Sequence, residues 1–360
     1  MTTTVTQPNE TAAVPARTNL LEVVKVSRRF PVRLGPMKRG YVSAVDSLSF
    51  NVVQGSTMGI VGESGCGKST AARLIVGLLE IDEGDVIFQG QNVRAPRQMR
   101  MPGAREKELR RNMQMVFQDP HSSLNPRSSV GEIISFPMRV HGFSKQEQRD
   151  RTGWLLEQVG LHSNHASYYP HQMSGGQRQR VNIARALALS PKLVVCDEAV
   201  SALDKSVQAQ VLNLLQGLQD ELGLTYIFIS HDLNVVQYMS DTVCVMYLGQ
   251  AVETCDADLL YENPLHPYTR ALLASTPVIG GGVTRSDVPA LEGELPSPLA
   301  PPSGCRFRTR CPFAMDICAE EAPPVTQPEP GHHVACHLFS DGSPAVAPAY
   351  QPRSVVEGAA

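Results

Sequence analysis

Apolar and polar positions along the chain fall into short blocks whose period changes from one block to the next. Residues 20–26 (LLEVVKV) form an apolar run that reads as a strand ending at Ser27–Phe30. A Pro/Gly/basic loop follows at 31–40. Residues 42–52 (VSAVDSLSFNV) then alternate apolar and polar residues, which suggests a half-buried antiparallel strand. Met58–Val61 is a compact apolar strand, and 70–79 (TAARLIVGLL) predicts a helix. Short strands are predicted at 85–89, 113–117, 226–230 and 242–247. Leu193–Cys196 is nearly all apolar, as a parallel strand buried on both faces should be. Helices are predicted from Ser174, a potential N-cap, to about Leu189, with Val181, Ala184 and Ala188 on one face, and over 205–221 and 233–239. Strands alternating with helices predict a mostly parallel α/β sheet that binds ligand beyond its strand carboxyl ends.

The pattern also divides the chain. Residues 1–18 and 341–360 have the composition of disordered ends. Residues 19–270 form the α/β domain, with a helical subdomain at about 119–190, where Pro/Ser/His loops interrupt the strands. Gly280–Gly304 reads as a linker within a small C-terminal domain at 271–340.

A chain of 360 residues is long enough for more than one domain, and 42% hydrophobic with 19% charged residues is ordinary for a globular protein. The formal net charge of -3 gives no global basis for binding nucleic acid, and the basic stretch 94–111 reads as a solvated face. No apolar run is long enough to cross a bilayer, and residues 1–18 lack the basic-then-apolar order of a secretory signal. The expectation is a cytoplasmic protein that meets a membrane only through a partner. Of eight cysteines, Cys66, Cys196, Cys244 and Cys255 are scattered, while Cys305, Cys311, Cys318 and Cys336 cluster late in the chain. A reducing compartment argues against disulfides in either group.

The chemistry begins at Gly62-Glu63-Ser64-Gly65-Cys66-Gly67-Lys68-Ser69-Thr70, a match to G-x-x-x-x-G-K-[ST] between a predicted strand and a predicted helix. Glycines at 62, 65 and 67 let backbone N–H groups converge on phosphate oxygens, and the following helix N-terminus adds positive potential. Lys68 is placed to reach the β- and γ-phosphates and Ser69 to hold Mg²⁺. Asp197 and Glu198, at the end of an apolar strand, supply what such a loop lacks. Asp197 can hold the Mg²⁺ hydration shell, and Glu198 can polarise an attacking water. Adjacent acids at a strand end are otherwise ordinary surface residues.

In order along the chain come the phosphate loop, Gln118 after a strand, Ser174-Gly175-Gly176-Gln177, Asp197-Glu198, Ser201-Ala202-Leu203-Asp204 and His231. With these, residues 20 to about 270 resemble the nucleotide-binding subunit of an ATP-binding cassette (ABC) transporter. The resemblance implies a P-loop NTPase (RecA-like) α/β core with an inserted helical subdomain and an antiparallel β subdomain. It also implies ATP sandwiched between two subunits. Gln118 would ligate Mg²⁺ and sense the membrane partner. His231 would contact the γ-phosphate, and Asp204 would lie at the subunit interface. Ser174 to Gln177 would close over ATP held by the opposite subunit. Phe30, or Tyr41 after the loop, would stack on adenine; core packing is the competing role for either ring. Met173 and Ala199 stand where the family commonly has Leu and Pro, and neither carries chemistry.

Further features narrow the resemblance to importers of the oligopeptide/dipeptide/nickel type. They are the loop from Gln118-Asp119-Pro120 to Leu124-Asn125-Pro126, the segment Asn263-Pro264-Leu265-His266-Pro267-Tyr268-Thr269-Arg270, the segment from Gly304 to Pro312, and Val334-Ala335-Cys336-His337. The resemblance implies an ATPase that powers uptake of peptides or a related small solute from the cytoplasmic face of the membrane. Its partners would be a second, different ATP-binding subunit, two integral membrane permease subunits and an extracytoplasmic solute-binding protein. A soluble cassette ATPase of translation or DNA repair is the alternative, and a nucleotide-gated regulatory module a further one. Four thiolates within about thirty residues can hold zinc or an iron–sulfur cluster. The spacing lacks paired C-x-x-C knuckles, and the subfamily resemblance points to [4Fe-4S] at Cys305, Cys311, Cys318 and Cys336, with Zn²⁺ second and free thiols third. His332, His333 and His337 are substitute ligands.

Overall fold

The computed structural model describes residues 18–35, 39–93, 103–275 and 294–340. The expected disordered ends, apart from Thr18, lie outside these residues, as do most of the expected linker and residues 94–102 of the basic stretch.

Two long strands come first, β1 (Asn19–Arg33) and β2 (Arg39–Val53), paired antiparallel with register slips between Val23 and Arg29. Next are β3 (Thr57–Val61), α1 (Lys68–Ile75), β4 (Glu83–Phe88) and β5 (Gln91–Asn92). β4 returns to β1, giving a four-stranded antiparallel sheet ordered β2-β1-β4-β5. α2 (Gly103–Asn112) and β6 (Met113–Val116) lead into a helical stretch of α3 (Pro120–Ser123), α4 (Val130–Val140), α5 (Lys145–Gln158) and α6 (Gly175–Leu187). α4, α5 and α6 start in the same way. Ser129, Ser144 and Ser174 each accept from the third residue of the helix, whose Glu or Gln side chain reaches back to the serine N–H.

The chain then alternates through β7 (Leu193–Asp197), α7 (Lys205–Leu222), β8 (Thr225–Ile229), α8 (Leu233–Met239) and β9 (Thr242–Tyr247). β9, β3, β8, β7 and β6 run parallel, side by side. Every residue of β3, β7 and β8 is buried, because both faces of the sheet are covered. Alternation divides them between two cores. Val194, Cys196, Tyr226, Phe228, Val243 and Val245 face a core shared with the helical stretch and α7. Leu193, Val195, Ile227, Ile229, Cys244 and Met246 face one shared with α1 and the antiparallel sheet.

The predicted core ended at Tyr247, but the sheet continues. β10 (Gln250–Asp256) turns back antiparallel on β9, followed by α9 (Ala257–Glu262) and α10 (Pro267–Ala274). From the C-terminal region come α11 (Ile317–Glu320), β11 (Val325–Glu329) and β12 (His332–Ala335). β12 pairs with β10 through Glu253↔Val334 and Thr254↔His333, so the large sheet reads β11-β12-β10-β9-β3-β8-β7-β6. β11 is polar and half-exposed, and β12 is only four residues long with His332 and Val334 buried, so neither offers a run of apolar positions to read.

Candidate nucleotide site and cysteine pocket

The phosphate loop joins β3 to α1, and sterics dictate its glycines. Gly67 has φ +107, and a Cβ there would lie 2.1 Å from the Ala44 carbonyl oxygen. Gly62 has φ +150, and its Cβ would lie 2.2 Å from the Met246 carbonyl oxygen. The first turn of α1 has neither a side-chain cap nor an acidic residue, so its N–H groups remain available to an anion. Lys68 is buried, and its Nζ donates to the carbonyls of Gly62 (2.7 Å) and Glu63 (3.0 Å). The lysine is therefore held against the loop that it serves.

Three adjacent parallel strands deliver the remaining polar groups at their carboxyl ends: Gln118 beyond β6, Asp197 and Glu198 at β7, and His231 beyond β8. Ser69 Oγ donates to Asp197 Oδ1 at 2.8 Å. Burial raises the pKa of Asp197, and the Ser69 hydroxyl opposes that shift. Glu198 Oε2 accepts from Gln118 Nε2 at 2.7 Å and stands 3.6 Å from His231 Nδ1. Glu198 has φ +48, unusual for a non-glycine residue. Its N–H donates to the Ile229 carbonyl, and its own carbonyl accepts from Ser201 N and Oγ.

These groups border a cleft of ≈ 480 Å³, with Ser64, Gly65, Gly67, Lys68, Ser69 and Thr70 on its floor and Gln118, Glu198 and His231 on one side. The cleft is also lined by Val42–Ala44 of β2, Leu248, Gly249 and Pro298, which sequence reasoning missed. Phe30 pairs across the sheet with Val42 and so shares its face, whereas Tyr41, one residue along, belongs to the other face and is 62% exposed. Neither ring lines the cleft itself, and Phe30 lies 5.0 Å from the Arg28 guanidinium.

Ser174 to Gln177 and Asp204 are not in that cleft. Ser174 is exposed at the start of α6, where its Oγ accepts from Gln177 N and its own N–H donates to Gln177 Oε1. Asp204, also exposed, caps α7 by accepting from Val207 N at 2.9 Å. Met173 and Ala199, the two departures from the family pattern, are buried in the core.

Cys305, Cys311, Cys318 and Cys336 line one enclosed pocket together with Phe307, Phe313, Met315 and Leu338. Burial raises the Cys305 thiol and pushes Cys336 up to about 12. Among the described residues, Glu253, Cys255 and His332 are the one trio of ligand atoms within 4.8 Å of one another. His337 borders the pocket, whereas His332 is committed to Glu253 at 2.7 Å and His333 is exposed.

The Asn263–Arg270 segment also has a structural purpose. Glu253 accepts from Leu265 N and His266 N, His266 Nδ1 accepts from Tyr268 N, and the Tyr268 hydroxyl accepts from Glu63 N at 2.8 Å. From the cysteine region, Arg310 forks onto the Glu63 carboxylate at 2.7 and 3.0 Å, and Arg306 bonds Asp46 and the Leu248 carbonyl. These long-range contacts to the loop have no sequence signal of their own.

Comparison with known proteins agrees with this geometry. The ABC transporter family matches residues 45–201, and the family described as oligopeptide/dipeptide transporter, C-terminal region, matches residues 252–318. The oligopeptide transport ATP-binding protein AppF of Bacillus subtilis is 51% identical over 326 residues, covering 89% of this chain and 98% of AppF. OppF of Salmonella typhimurium, also an oligopeptide transport ATP-binding protein, is 48% identical over 334 residues, covering 90% of this chain and 98% of OppF. Among solved structures, the dimeric ATP-binding cassette MJ0796 in a post-hydrolysis state with ADP and Pi is similar at a TM-score of 0.57 and 27% identity, covering 66% of this chain and 98% of that one. A phosphate loop roofed by three strand ends, a cassette match and a transporter-type C-terminal match together place this chain in the ABC transporter family, among its ATP-hydrolysing cassette subunits.

Proposed function

We propose that this chain binds and hydrolyses ATP to power peptide import, as one of two ATPases at the cytoplasmic face of a membrane transporter. The observation that carries the reading is the convergence of Gln118, Glu198 and His231 over the loop that holds Lys68 and Ser69. Relatives of nearly equal length are named for oligopeptide transport, which favours an importer over a soluble ATPase of translation or repair. Intact Glu198 and His231 favour turnover over a purely regulatory nucleotide switch.

The ATP phosphates take the loop N–H groups and the N-terminus of α1, and Lys68 leaves the Gly62 and Glu63 carbonyls for the β- and γ-phosphates. Ser69, Asp197 and Gln118 would hold Mg²⁺, and the paired Ser69 hydroxyl and Asp197 carboxylate oxygens fit a hard cation. When bound, Mg²⁺ neutralises charge on the β- and γ-phosphate oxygens. Glu198 accepts the proton of the attacking water, while His231 holds that water and contacts the γ-phosphate. Phe30, on the face of Val42, stacks on adenine. Ser174, Gly175, Gly176 and Gln177 stand exposed at a helix N-terminus and complete the site of the partner ATPase, with Asp204 at the interface. Two permease subunits carry the solute, and an extracytoplasmic binding protein presents it. Among the described residues no helix is long and apolar enough to cross a membrane, so the membrane contact runs through those partners.

Cys305, Cys311, Cys318 and Cys336, four thiols lining one pocket, would hold a [4Fe-4S] cluster, with Zn²⁺ the second choice. The bound group would fasten a lobe that has only a small core of its own. Anaerobically purified protein is expected to be brown and to contain iron; colourless, zinc-loaded protein would reject the cluster.

The function is tested in the reconstituted transporter. Glu198→Gln is expected to cut ATP turnover and peptide uptake by about 10²-fold or more while trapping ATP-bound dimers. Unchanged hydrolysis would remove Glu198 from this role, and ATP turnover without peptide uptake would overturn the importer reading.

A further inference from the structure

Nearly every polar group of Glu63, the second residue of the phosphate loop, is tied down by a distant part of the chain or by Lys68. Its carboxylate takes both arms of Arg310, its N–H donates to the Tyr268 hydroxyl, and its carbonyl accepts from Lys68 Nζ. The Arg310 side chain is only 6% exposed, and this fork raises its pKa. Arg306, four residues earlier, holds Asp46 and the carbonyl of Leu248, a residue that lines the cleft. Between the two arginines, Phe307 is buried against Tyr247 and Tyr268, with ring centroids 5.3 and 5.4 Å apart. Cys305 and Cys311 directly flank this segment.

We infer that Arg310 is a positioning residue for the phosphate loop, through which the cysteine lobe sets nucleotide affinity. The inference rests on the nucleotide site proposed above. Gly62 is packed against the Met246 carbonyl, whereas Gly65 has nothing within 4 Å of where a Cβ would lie, so the Arg310 fork acts on a residue between a fixed and an open position of the loop. A Glu63 side chain and peptide released from the fork must be ordered again when phosphate binds, and that entropy cost falls on affinity. Arg310 touches no reacting atom, so its removal should act on binding and leave the chemical step alone.

The experiment compares wild-type, Arg310→Gln, Glu63→Gln, the double variant and Arg310→Lys. Each is assembled with its permeases and partner ATPase, and ATP affinity is measured by titration alongside the KM and kcat of hydrolysis. Each Gln variant is expected to weaken ATP binding and raise KM roughly tenfold with kcat within about twofold. The double variant should be no worse than either single one, and Arg310→Lys should recover part of the loss because it keeps the charge without the fork. Wild-type affinity in both single Gln variants, additive losses in the double variant, or a fall in kcat at constant KM would overturn the inference. If Arg310→Gln fails to assemble, Glu63→Gln and Arg310→Lys decide by the same criteria. Wild-type protein that itself fails to bind ATP would instead reject the nucleotide site.

Discussion

Glu198 shows what the site demands of single residues. Its left-handed backbone costs of order 1–3 kcal/mol. It cannot relax, because its N–H is bound to the strand-end carbonyl of Ile229 and its carbonyl is bound twice by Ser201. The strain turns the side chain toward Gln118 and His231, where a water-polarising carboxylate is required. Its neighbour Asp197 is under a different stress, since burial raises its pKa. With the folded value above the unfolded one, the neutral acid is favoured by folding. That contribution is present below the unfolded value and is lost as pH rises through the folded one. Mg²⁺ needs the ionised form, so the Mg²⁺ concentration giving half-maximal ATPase is expected to climb as pH falls. The climb should start at a higher pH than an ordinary carboxylate would give. A magnesium requirement that stays flat on acidification would remove Asp197 from the ligand set.

At the scale of elements, the strand ends and the helix starts do different work. β6, β7 and β8 lie side by side, so residues far apart in sequence reach one rim. α6 points its N-terminus elsewhere, capped by Ser174 through a reciprocal pair with Gln177. Ser174→Ala is expected to cost about 1 kcal/mol in chemical denaturation through loss of the cap. It should leave ATP binding at the chain's own phosphate loop unchanged and weaken the ATP-driven pairing of subunits, measured by light scattering. Wild-type pairing in that variant would reduce Ser174 to a local cap.

Across the whole molecule, the C-terminal lobe is part of the cassette's fabric. β12 extends the large sheet at β10, and the pair Glu253–His332 is fully buried in the seam. Glu253 also accepts the N–H groups of Leu265 and His266, so its carboxylate organises the segment that carries Tyr268 to the phosphate loop. His332→Ala leaves that carboxylate without its ring partner and is expected to destabilise the protein by roughly 3–5 kcal/mol. Calorimetry should show the cassette transition itself shifted downward; a shift confined to a separate minor transition would make the lobe an independent unit.

The sequence by itself determined the phosphate loop, the strands around it and the capped start of α6, whereas Gln118 and His231 were picked out by the order of the family's motifs. Each of the first three is a local matter: glycine sterics, hydrophobic period and capping act within a few residues, so a few residues are enough to read them. Only the tertiary structure decided that Phe30, not Tyr41, shares the face of Val42, because a strand's pairing register settles which side a ring takes. It also decided that the sheet runs on past Tyr247 through β10, β12 and β11, short strands rich in polar residues, and that four cysteines close on one pocket. The contacts of Glu63 with Tyr268 and Arg310 were unreadable for a related reason: they span 205 and 247 positions, and an ion pair or hydrogen bond at that separation leaves no periodicity behind.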